Sequence, residues 1–365
     1  MFFQNTQCLA CQAPLGYEPG RGQVFALEPA AEPDHVQLAA EGGRYRMCAN
    51  RATPSVCNWL APAGPERSLC AACRLNRTIP DLSVAENGAL WHLIEIAKRR
   101  LVSLLITLGL PVQSRVSEDP ARGLAFDFLR TPRGGPAVTT GHAGGVVTLD
   151  IEEADDANRE RIRARMHEPY RTLLGHLRHE VGHYYWDRLI DSSKWVEPFR
   201  AVFGDERAAY EAELQRHYQE GPPADWSLRF VSAYASTHPW EDWAESWAHY
   251  LHMVDTFDAA LSYGLDPASI QIAFEDFDET ALFQPEDQDA SGFLHFVNSW
   301  AKFTAALNEL NRGMGQPDFY PFVLSRPAVA KLQFVHLVIH RGVVDQREKS
   351  GRLEAPPDGP AGRAP

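Results

Sequence analysis

All six cysteines of this 365-residue chain fall within its first 73 positions: Cys8-Leu-Ala-Cys11, then Cys48 and Cys57, then Cys70-Ala-Ala-Cys73. Two thiols separated by two residues can reach one ion, so C-x-x-C knuckles in a reducing compartment point to zinc rather than to disulfides. The same stretch is interrupted by Gly16, Pro19, Gly20, Gly42, Gly43 and Pro62 among others, too often for a large hydrophobic core. Metal must then supply much of its folding energy, and residues 1–80 are expected to form a zinc ribbon. Four thiolates close the coordination shell, which makes the ion structural. Six thiols do not divide into four-ligand sites. Cys48, Cys57, Cys70 and Cys73 are assigned to one zinc, leaving Cys8 and Cys11 as half of another; the alternative joins the two knuckles, Cys8, Cys11, Cys70 and Cys73.

A second metal signature lies in His179-Glu180-Val-Gly-His183. Residues four apart share a helix face, so His179 and His183 can offer two imidazoles to a single zinc. Glu180 is turned about 100° from His179, toward the water such an ion would hold, and is the candidate general base. Leu173, Leu174, Leu177, Val181 and Tyr184 form the apolar stripe that seats this helix, with Pro169 as an early helical residue. The metzincin pattern needs Gly and His where this chain has Trp186 and Leu189, which excludes that subclass. A second helix is expected from about Pro239. Its Trp240, Trp243 and Trp247 lie on a packing stripe, while Glu241, Glu245 and His252 lie on a polar stripe facing the site.

These residues resemble the gluzincin metallopeptidases. The resemblance implies that Glu241 is the third zinc ligand and that Glu245 accepts a hydrogen bond from the far ring nitrogen of His179 or His183. Glu241-x-x-Ala244-Glu245 is similar to the lethal-factor-type arrangement, which implies an oxyanion-stabilising tyrosine at Tyr234; His238 is the competing candidate.

Composition narrows the classes further. Net charge is 35 − 48 = −13, and residues 1–80 hold seven Arg against six acidic residues, so no strong basic patch and no nucleic-acid partner are expected. The N-terminus lacks the basic and apolar regions of a secretory signal, and the longest apolar run, Leu101 to Val112, is too short to span a bilayer. A cytoplasmic protein with no membrane partner is expected. Residues 84–110 read as a helix stopped by Gly109 and Pro111, Leu124 to Leu129 and Gly145 to Ile151 as strands, and Ala290–Asn311 and Pro327–His340 as helices. Val146–Ile151 is the candidate edge strand for pairing with a substrate backbone, with an ordinary core strand as the equal alternative. His142 reads as structural, with lining the cleft as the alternative, Glu152 to Asp156 with the following arginines as a solvated charge run, and residues 346–365 as a disordered tail.

The resemblance extends past the motifs. Phe2-Phe3-Gln-Asn-Thr-Gln-Cys8, Tyr45-Arg-Met-Cys48-Ala-Asn50, Cys57-Asn-Trp59, Cys70 through Pro80, Thr140-Gly-His142, Glu153-Ala-Asp-Asp156 and Glu168 through His176 are similar to a bacterial family of zinc-binding metallopeptidases with an N-terminal zinc ribbon. Members of that family carry one more C-x-x-C before the Phe-Phe segment, which implies an upstream start or a lost knuckle here. The fold class expected is α+β: a small ribbon over 1–80, then a mainly helical gluzincin-type domain with a small sheet over 81–345. The function expected is zinc-dependent hydrolysis of peptide bonds, on a peptide or protein substrate, with the ribbon free to engage a protein partner. The alternative is a ribbon adaptor whose His-Glu site is structural or vestigial.

Overall fold

The computed structural model describes residues 3–32, 34–64, 68–132, 134–166 and 171–349. The chain opens with five short strands, β1 (Leu15–Glu18), β2 (Gln23–Pro29), β3 (Val36–Leu38), β4 (Gly42–Met47) and β5 (Leu60–Pro62), paired in sequence order as an antiparallel meander. Its small apolar cluster is built on Leu27, Leu38 and Leu60. Cys48 follows β4 directly, Cys57 lies shortly before β5, and Cys70 and Cys73 sit on the turn beyond it.

That turn leads into β6 (Asn76–Thr78), which the sequence reading placed within the ribbon but which pairs with the second sheet. Helix α1 (Ala85–Thr107) follows, burying Trp91, Ile94, Leu101, Val102 and Leu105. It stops as expected: Gly109 takes φ +70°, and the amides of Gly109 and Leu110 bond back to Ile106 and Leu105. The second sheet is completed by β7 (Ala125–Leu129), β8 (Gly141–Ala143) and β9 (Val146–Asp150), in the order β6-β7-β9-β8. β9 is parallel to β7 on one side and antiparallel to β8 on the other. Of the two readings of Val146–Ile151 the core strand is the one formed: β9 is internal, and the edge on its side belongs to β8, whose three residues were too few to show a periodic signal.

After α2 (Asp156–Met166) comes α3 (Leu173–Tyr185), the helix of the His-Glu motif. Thr172 caps it by accepting the Gly175 amide at 3.0 Å, so the helix begins at Leu173; Pro169 lies outside the described residues. Every residue from Leu177 to Tyr185 is buried. Helices α4 (Val196–Phe203) and α5 (Tyr210–Glu220) then lead to α6 (Pro239–Ser262), followed by α7 (Ala290–Gly313) and α8 (Arg326–Lys349). Since α8 runs to Lys349, residues 346–349 of the expected tail are helical, and 350–365 lie outside the described residues.

Helix α6 starts where the sequence places it, with Pro239 in its first turn and the His238 side chain accepting the Trp240 amide. It packs directly on α3. Gly182 makes that approach close: a Cβ there would lie 3.1 Å from Ala244 Cα and 3.2 Å from the Trp247 ring. The Gly182 carbonyl also accepts the Trp243 indole N–H at 2.8 Å. Trp243 and Trp247 are fully buried as expected. One buried cluster runs from Cys48, Cys57, Cys70 and Cys73 through Trp91 and Leu105 to Trp247 and Val335, so ribbon and helices share a core.

Candidate metal centres

The close contact between α3 and α6 brings His179, His183 and Glu241 together. His179 Nε2 is 3.0 Å from Glu241 Oε2 and 3.2 Å from His183 Nε2, and His183 Nε2 is 3.6 Å from the same carboxylate oxygen. Tetrahedral zinc with ligands at about 2.0–2.1 Å sets its donors about 3.3 Å apart, so this triangle has the size of three zinc ligands. All three residues are buried. Burial alone would lower the His179 pKa, but the carboxylates of Glu241 and Glu245 outweigh it and hold the imidazole well above its ordinary value. Burial would likewise raise Glu241, yet His183 and His179 hold it well below the usual carboxylate range. Protons thus occupy the charge balance that a cation would satisfy.

Glu245 accepts from His179 Nδ1 at 2.8 Å and is itself held by the Ser232 hydroxyl at 2.6 Å. Of the two imidazoles the resemblance left open, it takes His179; His183 Nδ1 is buried with no hydrogen-bond partner among the described residues. The Tyr234 ring stands 5.9 Å from that of His179, and burial followed by the Glu241 charge raises its phenol pKa, keeping it protonated. His238 is placed differently. Its Nδ1 caps α6 and its Nε2 lies 3.2 Å from the Ala208 carbonyl, so both ring nitrogens are engaged in structure. His252 does not face the centre, contrary to the polar stripe drawn for α6: it hydrogen-bonds Arg178, which also binds Asp255. Eleven residues of helix carry it too far along the axis to reach the Glu241 level. Trp240 leaves the packing stripe for the site, its ring 4.0 Å from that of His183.

Two residues here were assigned no role from the sequence. Tyr210 on α5 donates to Glu241 Oε1 at 2.7 Å, leaving Oε2 for the triangle, but it lies in a polar helix with no buried residue. Glu153 belongs to the run read as solvated and is buried, with His176 Nδ1 at 2.6 Å and the Thr140 hydroxyl at 2.7 Å. The His142 side chain is buried beside His183 and Trp240, and its Nε2 accepts the Gly145 amide across the β8–β9 turn at 3.0 Å, which fits a structural role.

Glu153 and His176 make a pH-dependent pair. Burial opposes both charges, but each partner stabilises the other, moving His176 from 6.5 to about 9 and Glu153 from 4.5 to about 2. A raised histidine contributes fully below its unfolded pKa and loses that contribution as pH rises through the folded value; a lowered carboxylate contributes above its unfolded pKa and loses it as pH falls. In the metal-free protein the pair therefore stabilises most between pH 4.5 and 6.5. The stability gap between wild type and His176→Gln, measured by denaturant titration, is expected to shrink steadily from pH 6.5 to 9. An equal gap at both ends would contradict this.

The ribbon cysteines form the second centre. Cys48, Cys57, Cys70 and Cys73 are buried with their sulfurs within 4.8 Å of one another, and Cys57 and Cys70 are 3.7 Å apart. Zinc–sulfur bonds of about 2.3 Å set tetrahedral sulfurs about 3.8 Å apart, so this quartet also fits zinc. Burial, then the neighbouring thiols, raise the Cys70 pKa far up without a metal. The cysteine grouping favoured over the two-knuckle alternative is the one formed; Cys8 and Cys11 lie apart from it, Cys11 exposed.

Residues 87–338 match the family described as "Putative zinc-binding metallo-peptidase". The chain belongs to that family. Residues 1–84 match a zinc-ribbon domain, so both halves of the expected architecture are present in this zinc-binding metallopeptidase family member. Uncharacterized proteins of Mycobacterium tuberculosis strain H37Rv and of Mycobacterium bovis are each 43% identical over 338 residues, covering 92% of this chain and 91% of theirs. No solved structure matches the chain. Among the described residues no helix is long and apolar enough to cross a membrane.

Proposed function

We propose that this chain is a gluzincin-type zinc peptidase that hydrolyses peptide bonds in a peptide or protein substrate. The observation that carries the reading is the buried triangle of His179, His183 and Glu241, of zinc-ligand size, with an ionised glutamate beside it on the same helix. Zinc held there would polarise the substrate carbonyl and make water acidic enough to yield a nucleophile near neutral pH. Glu180 takes the proton of the attacking water and returns it to the departing amine. Although burial raises its pKa, His176, His179 and His183 outweigh this and keep it ionised, as a base must be. Tyr234, protonated and next to His179, donates to the developing oxyanion, a role that its geometry favours over the engaged His238. Tyr210 and Glu245 hold the ligands Glu241 and His179 from outside. The β8 edge offers backbone groups to an extended substrate.

Metal content per folded chain tests this. His183→Ala, purified without added metal, is expected to carry one zinc fewer than wild type, the remaining zinc belonging to the cysteine quartet. Equal zinc in the two proteins would place all of it in the ribbon and leave the adaptor reading in possession.

A further inference from the structure

Behind Glu180 runs a chain of part-buried polar groups, with Glu153 buried among them, that neither the zinc triangle nor the substrate edge requires. His176 stands one turn earlier on α3, with Nε2 3.3 Å from Glu180 Oε1 and Nδ1 2.6 Å from Glu153 Oε2. Glu153 is in turn held by the Thr140 hydroxyl at 2.7 Å and by Arg171 at 3.5 Å. Thr140 Oγ1 also accepts the Asp150 amide at 3.3 Å, so the chain is anchored to the ends of β8 and β9. Among the described residues, His176 Nε2 is the side-chain group in ion-pair contact with the Glu180 carboxylate.

We propose that His176, itself held by Glu153, is a positioning residue that fixes the Glu180 carboxylate for its work as base. This rests on the peptidase reading above. The geometry gives the physical reason. A glutamate has three rotatable bonds, and a carboxylate that must meet a water within hydrogen-bond reach loses rate when it samples other rotamers. With both ring nitrogens engaged by carboxylates, His176 has no donor left for a substrate, so its effect on chemistry passes through Glu180. The raised pKa of His176 agrees, since an imidazolium donates to both partners at once. Partners that orient metal ligands are typically worth about 10- to 100-fold in activity, and the same range is expected for a partner that orients the base.

The test compares full-length, zinc-loaded wild type, His176→Ala, His176→Gln and Glu153→Gln, with Glu180→Gln as reference. Crystal structures supply a readout independent of turnover: the Glu180 carboxylate should keep one orientation in wild type and His176→Gln and rotate or split in His176→Ala. In peptide cleavage, His176→Ala is expected to lose about 10- to 100-fold in kcat with KM nearly unchanged and zinc content equal to wild type. His176→Gln, which keeps one donor, should recover part of the loss, and Glu153→Gln should fall between the two. A Glu180 carboxylate unmoved in His176→Ala, or a kcat loss that merely follows lost zinc, would overturn the proposal. If instead Glu180→Gln cleaves like wild type, the base assignment has failed, and the crystal comparison alone still decides whether His176 holds Glu180.

Discussion

Glu180→Gln is expected to lower kcat for peptide cleavage by about a thousandfold while zinc content and thermal stability stay near wild type. General acid–base catalysis by a positioned side chain is worth about 10²–10⁴-fold, and Glu180 is assigned both proton transfers, which keeps the loss off the lower end and near the middle of that range. The variant is nearly isosteric and removes only the negative charge and the basic oxygen. His176, which donates toward Glu180 Oε1, can still donate to an amide oxygen, so the local packing survives. The ligand triangle is untouched because Glu180 is not one of its corners. Two controls separate the outcomes. His183→Ala should abolish cleavage together with one zinc, whereas Glu180→Gln should abolish cleavage alone. A Glu180→Gln protein that cleaves within tenfold of wild type would remove this residue from the reaction and point to hydrolysis by another base.

The site was legible to the extent that it depends on helical spacing. His179 and His183 on one helix, and Glu241 with Glu245 on another, follow from a period of 3.6 residues, and the two helices begin within a few residues of where their caps predict. Knuckle spacing pairs Cys70 with Cys73 in the cysteine quartet, whereas Cys48 and Cys57, nine residues apart, are joined to them by the fold of the first sheet. What escaped the sequence is whatever tertiary contact decides. Tyr210 reaches Glu241 from an exposed helix 31 residues earlier, Glu153 is buried only because His176 and Arg171 meet it, and Trp240 turns to His183 where helix periodicity alone put it with Trp243. The sequence left β9 open between edge and core because it reads as a strong strand either way, while the three-residue β8, made of Gly, His and Ala, forms the edge beside it.

Losing the ribbon zinc is expected to damage far more than the ribbon. The four cysteines belong to the same buried cluster as Trp91, Ile94 and Leu101 of α1, and Cys73 Sγ lies 3.8 Å from the Glu95 carboxylate. Glu95 and Lys98 are completely buried and 2.6 Å apart; Lys98 also bonds Asn76 of β6 and lies over the rings of Phe126 and Phe128 of β7. Arg99 reaches back to Ser55 on the Cys48–Cys57 loop at 3.0 Å, and Tyr17 of β1 hydrogen-bonds Ser103. The metal-folded loops thus cover a buried ion pair, and leaving one partner of such a pair buried and unmatched costs several kcal/mol. Structural zinc contributes on the order of 10 kcal/mol to small domains, comparable with the whole stability of an ordinary protein. Cys70→Ser is therefore expected to lose one zinc and to lower the melting temperature of the entire chain by at least about 10 °C in a single transition, taking α1 and the β6–β7 pairing with it. His183→Ala removes one zinc as well, but from a pocket bounded by packed helices, and should melt much closer to wild type. Calorimetry of the three proteins with parallel metal analysis checks this. A separate low-temperature transition in Cys70→Ser, with the main one unmoved, would mean that the ribbon folds as an independent module and that the shared core does not couple it to the helices.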